Sequence, residues 1–259
     1  MELLHFTGQV WRPPYEASSQ LLQVTAGCTH SKCKFCSLYH GTKFRLSPIA
    51  EVEEDLKVIQ DYQPRARRVF LTGANPFALS YNRLLDLGLL IRKYLRYCES
   101  IGMFSRISDI KSKTVEELQN LRHLGFDSIS IGTESGDDNT LAMMNKGYTA
   151  NDIIEQCKKL EEANIRYNFV YLTGLAGRNK GEQNAVNTAN VFNQLHPFTI
   201  NFVSLTVFPE SELYQEIQCG NFVEATEHER LLELRTFISN LCIETTLLGN
   251  TVSNKIGRA

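Results

Sequence analysis

The chain has 259 residues, 42% hydrophobic and 22% charged, with a formal net charge of -2. That balance excludes collagen, coiled coil and wholesale disorder, and 27 Lys and Arg against 29 Asp and Glu leave no basic excess to hold nucleic acid. No apolar run approaches the ~18 residues of a membrane span, and Met1 to Val10 lacks the charged-then-apolar layout of a signal peptide, so a soluble, cytoplasmic protein is expected.

Residues 1–20 read as an extended lead-in, stiffened by the two prolines of Arg12-Pro13-Pro14-Tyr15. The β-branched run Leu21–Thr25 is the first strand. Ser47-Pro48 offers a capping hydroxyl ahead of a first-turn proline, and Val52, Leu56 and Ile59 repeat at i, i+4 and i+7 behind it. Val69–Leu71 is the second strand, followed by the stripe Leu84, Leu87, Ile91 and Tyr94. Met103–Ile107 is the third strand, with Gly102 expected at a helix end. Thr114-x-x-Glu117 has capping-box spacing, and Gly125 follows as a helix terminator. Ser128–Ile131 is the fourth strand, and Thr149-x-x-Asp152 opens a helix carrying Ile153, Cys157 and Leu160. Ile165–Leu172 and Thr199–Leu205 are the fifth and sixth strands. From Glu212 the chain reads as helical, with Gly220 near a helix end, and the pattern fades after Thr245.

Strand and helix alternate in six units of roughly 30 residues, the size of βα repeats, which implies a parallel sheet. Six units are too few for a closed eight-fold barrel. The expected fold is α/β: an open six-unit TIM-like barrel over residues 21–210, with a helical extension over 211–259 in the same domain. A doubly wound sheet is the competing arrangement.

Seven cysteines are present, of which Cys28, Cys33 and Cys36 fall within nine positions directly after the first strand. In a parallel α/β fold that is the ligand-binding edge of the sheet. Three thiolates suit a cubane cluster with one iron left open. Zinc on Cys28, His30, Cys33 and Cys36 is a second reading, although His30 stands awkwardly close to its neighbours for wrapping a tetrahedral ion. Unliganded thiols are the third. Cys98, Cys157, Cys219 and Cys242 are scattered and read as helical core or surface thiols, without the grouping of an auxiliary cluster.

The loop, with Phe35 before Cys36, resembles that of the radical S-adenosylmethionine (SAM) enzymes, with C-x4-C-x2-C where the usual spacing is C-x3-C-x2-C. Gly132-Thr133-Glu134-Ser135-Gly136, followed by Met143-Met144-Asn145-Lys146-Gly147, resembles the G-x-E-S-G…M-x-K segment of one branch of that superfamily. That branch includes oxygen-independent coproporphyrinogen oxidases, methylthiotransferases and cobalamin-linked enzymes. Leu71-Thr72-Gly73-Ala74-Asn75-Pro76 stands where those proteins carry a Gly-Gly-Glu-like turn, and Gly174 ends the fifth strand as their adenine-contacting glycine does.

The resemblance implies a 4Fe–4S cluster on Cys28, Cys33 and Cys36, with SAM chelated at the open iron and cleaved reductively to methionine and a 5′-deoxyadenosyl radical. That radical would abstract hydrogen from a small-molecule substrate. Phe35 would lie beside adenine, or only shield the cluster. Gly73, Ala74 and Asn75 would hold the SAM amino group, or form an ordinary turn. Arg106 would meet the SAM carboxylate, or pair with Asp109. Glu134 and Ser135 would reach the ribose or methionine end, with helix capping by Ser135 as the alternative. Gly174 would admit adenine, or simply end a strand.

Lys32, Lys34, His40, Lys43 and Arg45 surround the loop with positive charge, either to receive an acidic flavodoxin or ferredoxin as electron donor or as a solvated face. The cysteine spacing and the want of an extra C-terminal domain argue against a coproporphyrinogen oxidase. With no RNA-binding module expected, methylthiolation of RNA is disfavoured too. A non-catalytic zinc or iron–sulfur protein on the same fold is the rival reading.

Overall fold

The computed structural model describes residues 4–39, 41–251 and 253–254. The chain runs through β1 (Gln20–Gln23), β2 (Thr25–Ala26), β3 (Arg45–Leu46), α1 (Ile49–Tyr62), β4 (Arg68–Thr72), α2 (Tyr81–Tyr94) and β5 (Ser100–Ser105). There follow α3 (Ile107–Lys111), α4 (Val115–His123), β6 (Phe126–Glu134), α5 (Asp138–Met143), α6 (Ala150–Glu162) and β7 (Arg166–Thr173). The last elements are α7 (Gly181–Phe192), β8 (Thr199–Ser204), α8 (Glu212–Gln218), α9 (Glu227–Asn240) and β9 (Thr246–Leu248).

Seven strands make one sheet in the order β1-β4-β5-β6-β7-β8-β9, while β2 and β3 form a separate antiparallel ribbon. β1, β4, β5 and β6 pair in parallel, as do β7, β8 and β9. The order follows the sequence without reversal. A doubly wound sheet would reverse at a switch point, so the open α/β reading holds, with a seventh strand added by β9.

The chain divides into two compact units. The first comprises residues up to 29, 41–131 and 159–167; the second comprises 30–40, 132–158 and 168 onward. In the first unit Leu22, Val69, Phe70, Leu71, Ile101, Met103, Ile129 and Ile131 are buried along the strands, as continuous apolar runs in parallel sheets require. The stripes Val52, Leu56, Ile59 and Leu84, Leu87, Ile91 are buried against them. Each such side chain contributes about 2 kcal/mol of transfer free energy. The Thr114–Glu117 capping box forms as read.

At the strand starts of this unit lies an ion network. Glu16 is buried and accepts twice from Arg68, at 2.8 and 2.5 Å. Arg68 reaches Asp127 at 3.3 Å, and Asp127 accepts from Arg166 at 2.8 Å. The Arg12-Pro13-Pro14-Tyr15 segment thereby gains a purpose: a 3-10 turn over Pro14–Glu16 delivers Glu16 to Arg68 and Tyr15 to a 2.8 Å hydrogen bond with the Ser130 hydroxyl.

In the second unit Tyr171 stacks on Phe237 at 4.7 Å, and Phe192 and Phe202 meet Phe237 edge-on. The Thr149–Asp152 cap forms as read. Gly220, at a φ of 76°, follows α8 in the left-handed conformation expected of it.

Several boundaries differ from the sequence reading. Ser47 does not cap α1: Pro48 holds that position, and the Ser47 backbone is drawn into pairing with Val24 and Arg83. Gly102 lies inside β5, not at a helix end. A β-carbon there would stand 2.6 Å from Arg68 Nη2, so glycine leaves room for the ion network. Strand β5 stops at Ser105, because Asp109 accepts the Arg106 N–H and turns Ile107 into α3.

Candidate functional site

Two clusters of candidate residues stand at strand C-terminal ends, one in each unit. In the first unit β4 runs into Gly73, whose φ is +129°. A β-carbon at Gly73 would meet the Thr25 hydroxyl and stand 2.8 Å from the Thr25 carbonyl, so β2 demands the glycine. Ala74 is half-buried. Asn75 is buried and spends its amide on the cysteine loop: Oδ1 accepts from Thr29 N–H at 3.2 Å, and Nδ2 donates to Thr29 Oγ1 at 2.6 Å and to Asp109 Oδ2 at 2.9 Å. Asn75 thus braces the residue after Cys28, a use the sequence did not reveal. The hydroxyls of Thr25 and Thr72, flanking Gly73, are buried with no hydrogen-bond partner among the described residues.

Arg106 caps α3 with its backbone, and its Nη1 donates to Ser108 Oγ at 2.9 Å. Asp109 accepts from the Arg106 backbone and Asn75, and burial pushes its carboxyl up. Beneath it Lys113 is buried, its Nζ donating to the carbonyls of Phe77 at 2.7 Å and Asp109 at 3.1 Å. Burial lowers this ammonium to about 8. Sequence reading passed over Lys113, which stands next to a capping motif and carries no local mark of burial.

In the second unit the segment from His30 to Tyr39 is pinned from two sides. Lys34 N–H donates to the Met144 carbonyl at 3.2 Å, Asn145 Nδ2 donates to the Lys32 carbonyl, and His30 Nε2 lies 2.6 Å from the Asn145 carbonyl. From the other side, Leu213 N–H at the start of α8 donates to the Lys34 carbonyl at 2.7 Å. Lys34 Nζ pairs with Glu216 at 2.9 Å and Glu212 at 3.4 Å. Ser31, between His30 and Lys32, adopts a left-handed φ of 47°, a kink within the longer C-x4-C stretch.

Phe35 packs half-buried against the cluster of Met144, Leu172, Leu175, Leu205, Leu213 and Phe222. Glu134, at the end of β6, holds a left-handed φ of 62°. Such a conformation costs a non-glycine residue about 1–2 kcal/mol and persists where its surroundings enforce it. Lys146 engages the side chain presented there. Its Nζ stands 3.6 Å from Glu134 Oε1, donates to the Gly132 carbonyl at 2.8 Å, and lies 5.5 Å from the centres of the Phe35 and Tyr148 rings. Burial lifts the Glu134 carboxyl against the pull of Lys146. Burial opposes the Lys146 charge, but Tyr148, Glu134 and Cys33 together raise its pKa.

Ser135 and Gly174 are held by groups that α7 and α9 supply, and Gly174 directly follows the end of β7. Ser135 is fully buried; its hydroxyl donates to Asn184 Oδ1 at 2.6 Å and accepts from Asp137 N–H at 2.9 Å, which leaves the side chain turned inward. Asp137, not Ser135, caps α5. Gly174 is buried at a φ of +84°, its N–H donating to Glu233 Oε2 at 2.7 Å. A β-carbon there would lie 2.8 Å from Arg230 Nε, so the glycine makes room for arginine. Glu233 is a buried carboxylate that the sequence reading missed, because one of three glutamates on α9 carries no local mark.

None of the described cysteines forms a disulfide. Cys36 and Cys33 share one turn, with Cys36 N–H donating to the Cys33 carbonyl at 3.1 Å. Cys36 presents accessible surface, yet the protein mass around it pushes its thiol up to about 11. Among the described residues no three His, Cys, Asp or Glu side chains converge into a metal-holding group. The donor chemistry still suits a cluster: three thiols lie along one loop, and ligation draws off their protons as it gathers them. Of the basic residues, Lys34 is neutralised by Glu212 and Glu216, Lys32, Lys43 and Arg45 are exposed, and His40 lies outside the described residues. No described helix is long and apolar enough to cross a membrane.

Residues 22–189 match the model of the radical SAM superfamily, and the chain belongs to that family. The family uses a 4Fe–4S cluster and SAM. Among curated proteins the chain is similar to the heme chaperone HemW of Bacillus subtilis (strain 168), with 23% identity over 203 residues, 74% of this chain and 52% of that protein. It therefore spans about half the length of this relative. Among solved structures it resembles the radical SAM methyltransferase TsrM from Kitasatospora setae with cobalamin and a [4Fe-4S] cluster bound, at a TM-score of 0.64 and 18% identity, covering 78% of this chain and 40% of that one. It also resembles the coproporphyrinogen III oxidase HemN from Escherichia coli, at 0.61 and 14%, covering 85% and 51%. At these identities the likenesses establish the radical SAM fold alone.

Proposed function

We propose that Cys28, Cys33 and Cys36 hold a 4Fe–4S cluster that binds SAM at its open iron, and that the chain abstracts hydrogen from a carbon centre of a small-molecule substrate. The observation that carries this reading is the bracing of the cysteine loop. Asn75 fixes Thr29 beside Cys28, and Met144, Leu213 and Glu216 fix Lys34 beside Cys33, so three unbridged thiols follow β1 on an anchored loop. The buried, unpartnered hydroxyls of Thr25 and Thr72 beside Gly73 support a ligand at that turn, because buried polar groups ordinarily find partners. Zinc is supported less well: its fourth donor would be His30, whose Nε2 is directed at the Asn145 carbonyl.

When bound, the cluster and SAM supply one-electron cleavage of the sulfonium carbon–sulfur bond, giving methionine and a 5′-deoxyadenosyl radical. The chain's own residues bind, orient and exclude water. Gly73 and Ala74 offer backbone carbonyls to the SAM amino group, and Arg106 offers a guanidinium suited to its carboxylate. Glu134 accepts from ribose hydroxyls or the methionine end, held in place by Lys146. Phe35 walls the adenine side, and Gly174 bounds it. Asn75 and Ser135 act on these turns from behind. The exposed Lys32, Lys43 and Arg45 favour an acidic flavodoxin or ferredoxin as electron donor.

Anaerobic reconstitution with iron and sulfide, followed by SAM and a strong reductant, is expected to yield 5′-deoxyadenosine from the wild type and none from Cys33→Ala. A fully loaded wild-type protein that binds no SAM sinks the reading. The likeness to a heme chaperone favours a second one, in which the chain carries heme without cleaving SAM. Stoichiometric heme uptake with no deoxyadenosine would establish that alternative.

A further inference from the structure

The second unit contains a buried polar network whose centre, Glu233 and Asn184, has no part in the chemistry above. Glu233, fully buried on α9, accepts three hydrogen bonds: from Gly174 N–H at 2.7 Å on Oε2, and from Tyr171 OH and Asn184 Nδ2, each at 2.8 Å, on Oε1. Asn184 on α7 is itself buried and accepts from the Ser135 hydroxyl at 2.6 Å, which accepts in turn from Asp137 N–H. Thr188, one turn further along α7, accepts from Gly136 N–H at 2.8 Å. A carboxylate on α9 is thereby joined directly to the Gly174 turn and, through one asparagine, to the Glu134-Ser135-Gly136 turn.

Taking a carboxylate out of water is expensive unless its lone pairs are met by donors. A well-packed apolar side chain would hold α9 to β7 without that expense. The charged group therefore does something packing would not: it fixes the direction of the Gly174 N–H, and through Asn184 it fixes the hydroxyl under Glu134. Arg230, one turn before Glu233, fills the space on the other side of Gly174, donating to the Leu205 carbonyl at 2.8 Å.

We infer that Glu233 is a positioning residue for SAM, acting through Asn184 and the Gly174 N–H to set the two turns that receive it. The inference rests on the reading that SAM lies on those turns. An amide at position 233 must face at least one donor with a donor. If its oxygen faces Gly174, its NH2 opposes the Asn184 amide; if reversed, its NH2 opposes the Gly174 N–H. Pairing Glu233→Gln with Asn184→Asp removes that conflict, because the new carboxylate at 184 accepts from the new amide and from Ser135, and the net charge is unchanged.

The test is SAM affinity, measured by equilibrium dialysis on anaerobically reconstituted protein with iron content checked in every sample. Glu233→Gln is expected to bind SAM about tenfold more weakly, the scale of one buried hydrogen bond left unmade, with iron content unchanged. The double variant is expected to return to within about threefold of wild type, a non-additivity that general loss of packing does not produce. Should Glu233→Gln not fold, Asn184→Ala reads the same arm and is expected to weaken SAM binding. Wild-type affinity in Glu233→Gln, or a loss the double variant fails to restore, overturns this inference while leaving the SAM-binding reading intact. A loaded wild type that does not bind SAM overturns both.

Discussion

Replacing Asn75 by alanine tests whether the cysteine loop is braced from the β4 turn. The side chain makes three hydrogen bonds: one donated to the Asp109 carboxylate at 2.9 Å and two exchanged with Thr29 at 2.6 and 3.2 Å. A bond to a charged group contributes about 2 kcal/mol, and a neutral pair about 1 kcal/mol. Thr29 is exposed and regains water when released, so its two bonds together count for about one. Asp109 is buried and regains nothing, although the Arg106 N–H remains. The expected loss is about 3 kcal/mol, felt in opening of the loop and in global unfolding alike. If that opening governs escape of iron, the rate of iron loss to a chelator rises about a hundredfold, and the Thr29 amide loses hydrogen-exchange protection in step. Asn75→Asp adds a like charge beside Asp109, so it is expected to be worse than Asn75→Ala at neutral pH and to recover as the pH falls and the pair takes up a proton. An Asn75→Ala protein that loses less than about 1 kcal/mol in urea and releases iron at the wild-type rate would refute the bracing argument.

Glu16→Gln leaves Arg68 facing a neutral amide at the buried end of its network, and is expected to cost about 3 kcal/mol in urea unfolding; a change within about 0.5 kcal/mol would mean that Asp127 alone suffices. Lys34→Ala removes the partner of Glu216 and Glu212, and is expected to cost about 1 kcal/mol and to speed chelator-driven iron loss, which a wild-type rate would contradict. Lys113 has a folded pKa of about 8 against an ordinary 10.5, so between those values the unfolded chain binds more protons and stability rises with pH. Lys113→Met is expected to flatten that rise by about 2 kcal/mol, as read from urea midpoints at pH 7.5 and 10. His5, its pKa raised by the hydrogen bond to Asp55, holds the lead-in when protonated. That hold is complete below the ordinary histidine pKa and fades as pH rises through the raised value, so exchange at the His5 amide is expected to accelerate over that interval and not in His5→Gln.

Most of the architecture was legible because it is written in local period. Buried strands carry runs of β-branched residues, helices carry stripes at i, i+4 and i+7, and both are set by neighbours in sequence. All six expected strands are present. β9 escaped because three residues at a sheet edge have no period to display, and Gly102 misled because a glycine that clears a path for a distant arginine looks the same in sequence as one that ends a helix. The family, too, was legible, since it rests on residue types at short spacings: the cysteine loop, the Gly132–Gly136 segment and the Lys146 motif.

What side chains face is another matter, since that depends on groups brought together from far along the chain. Lys34 reads as a docking charge until α8 supplies Glu212 and Glu216. Nothing near Ser135 or Gly174 in the chain foretells Asn184, Glu233 and Arg230, which α7 and α9 supply. Nothing near Asn75 in the chain foretells its bonds to Thr29 and Asp109. The sequence by itself determined the order of elements, the parallel sheet and the cofactor chemistry, because these follow from periodicity and from donor atoms in one loop. Only the tertiary structure decided which polar residues stand behind the site, because a buried charge takes its role from the donors that surround it, and those arrive from 46 residues away for Asn75 and 59 for Glu233.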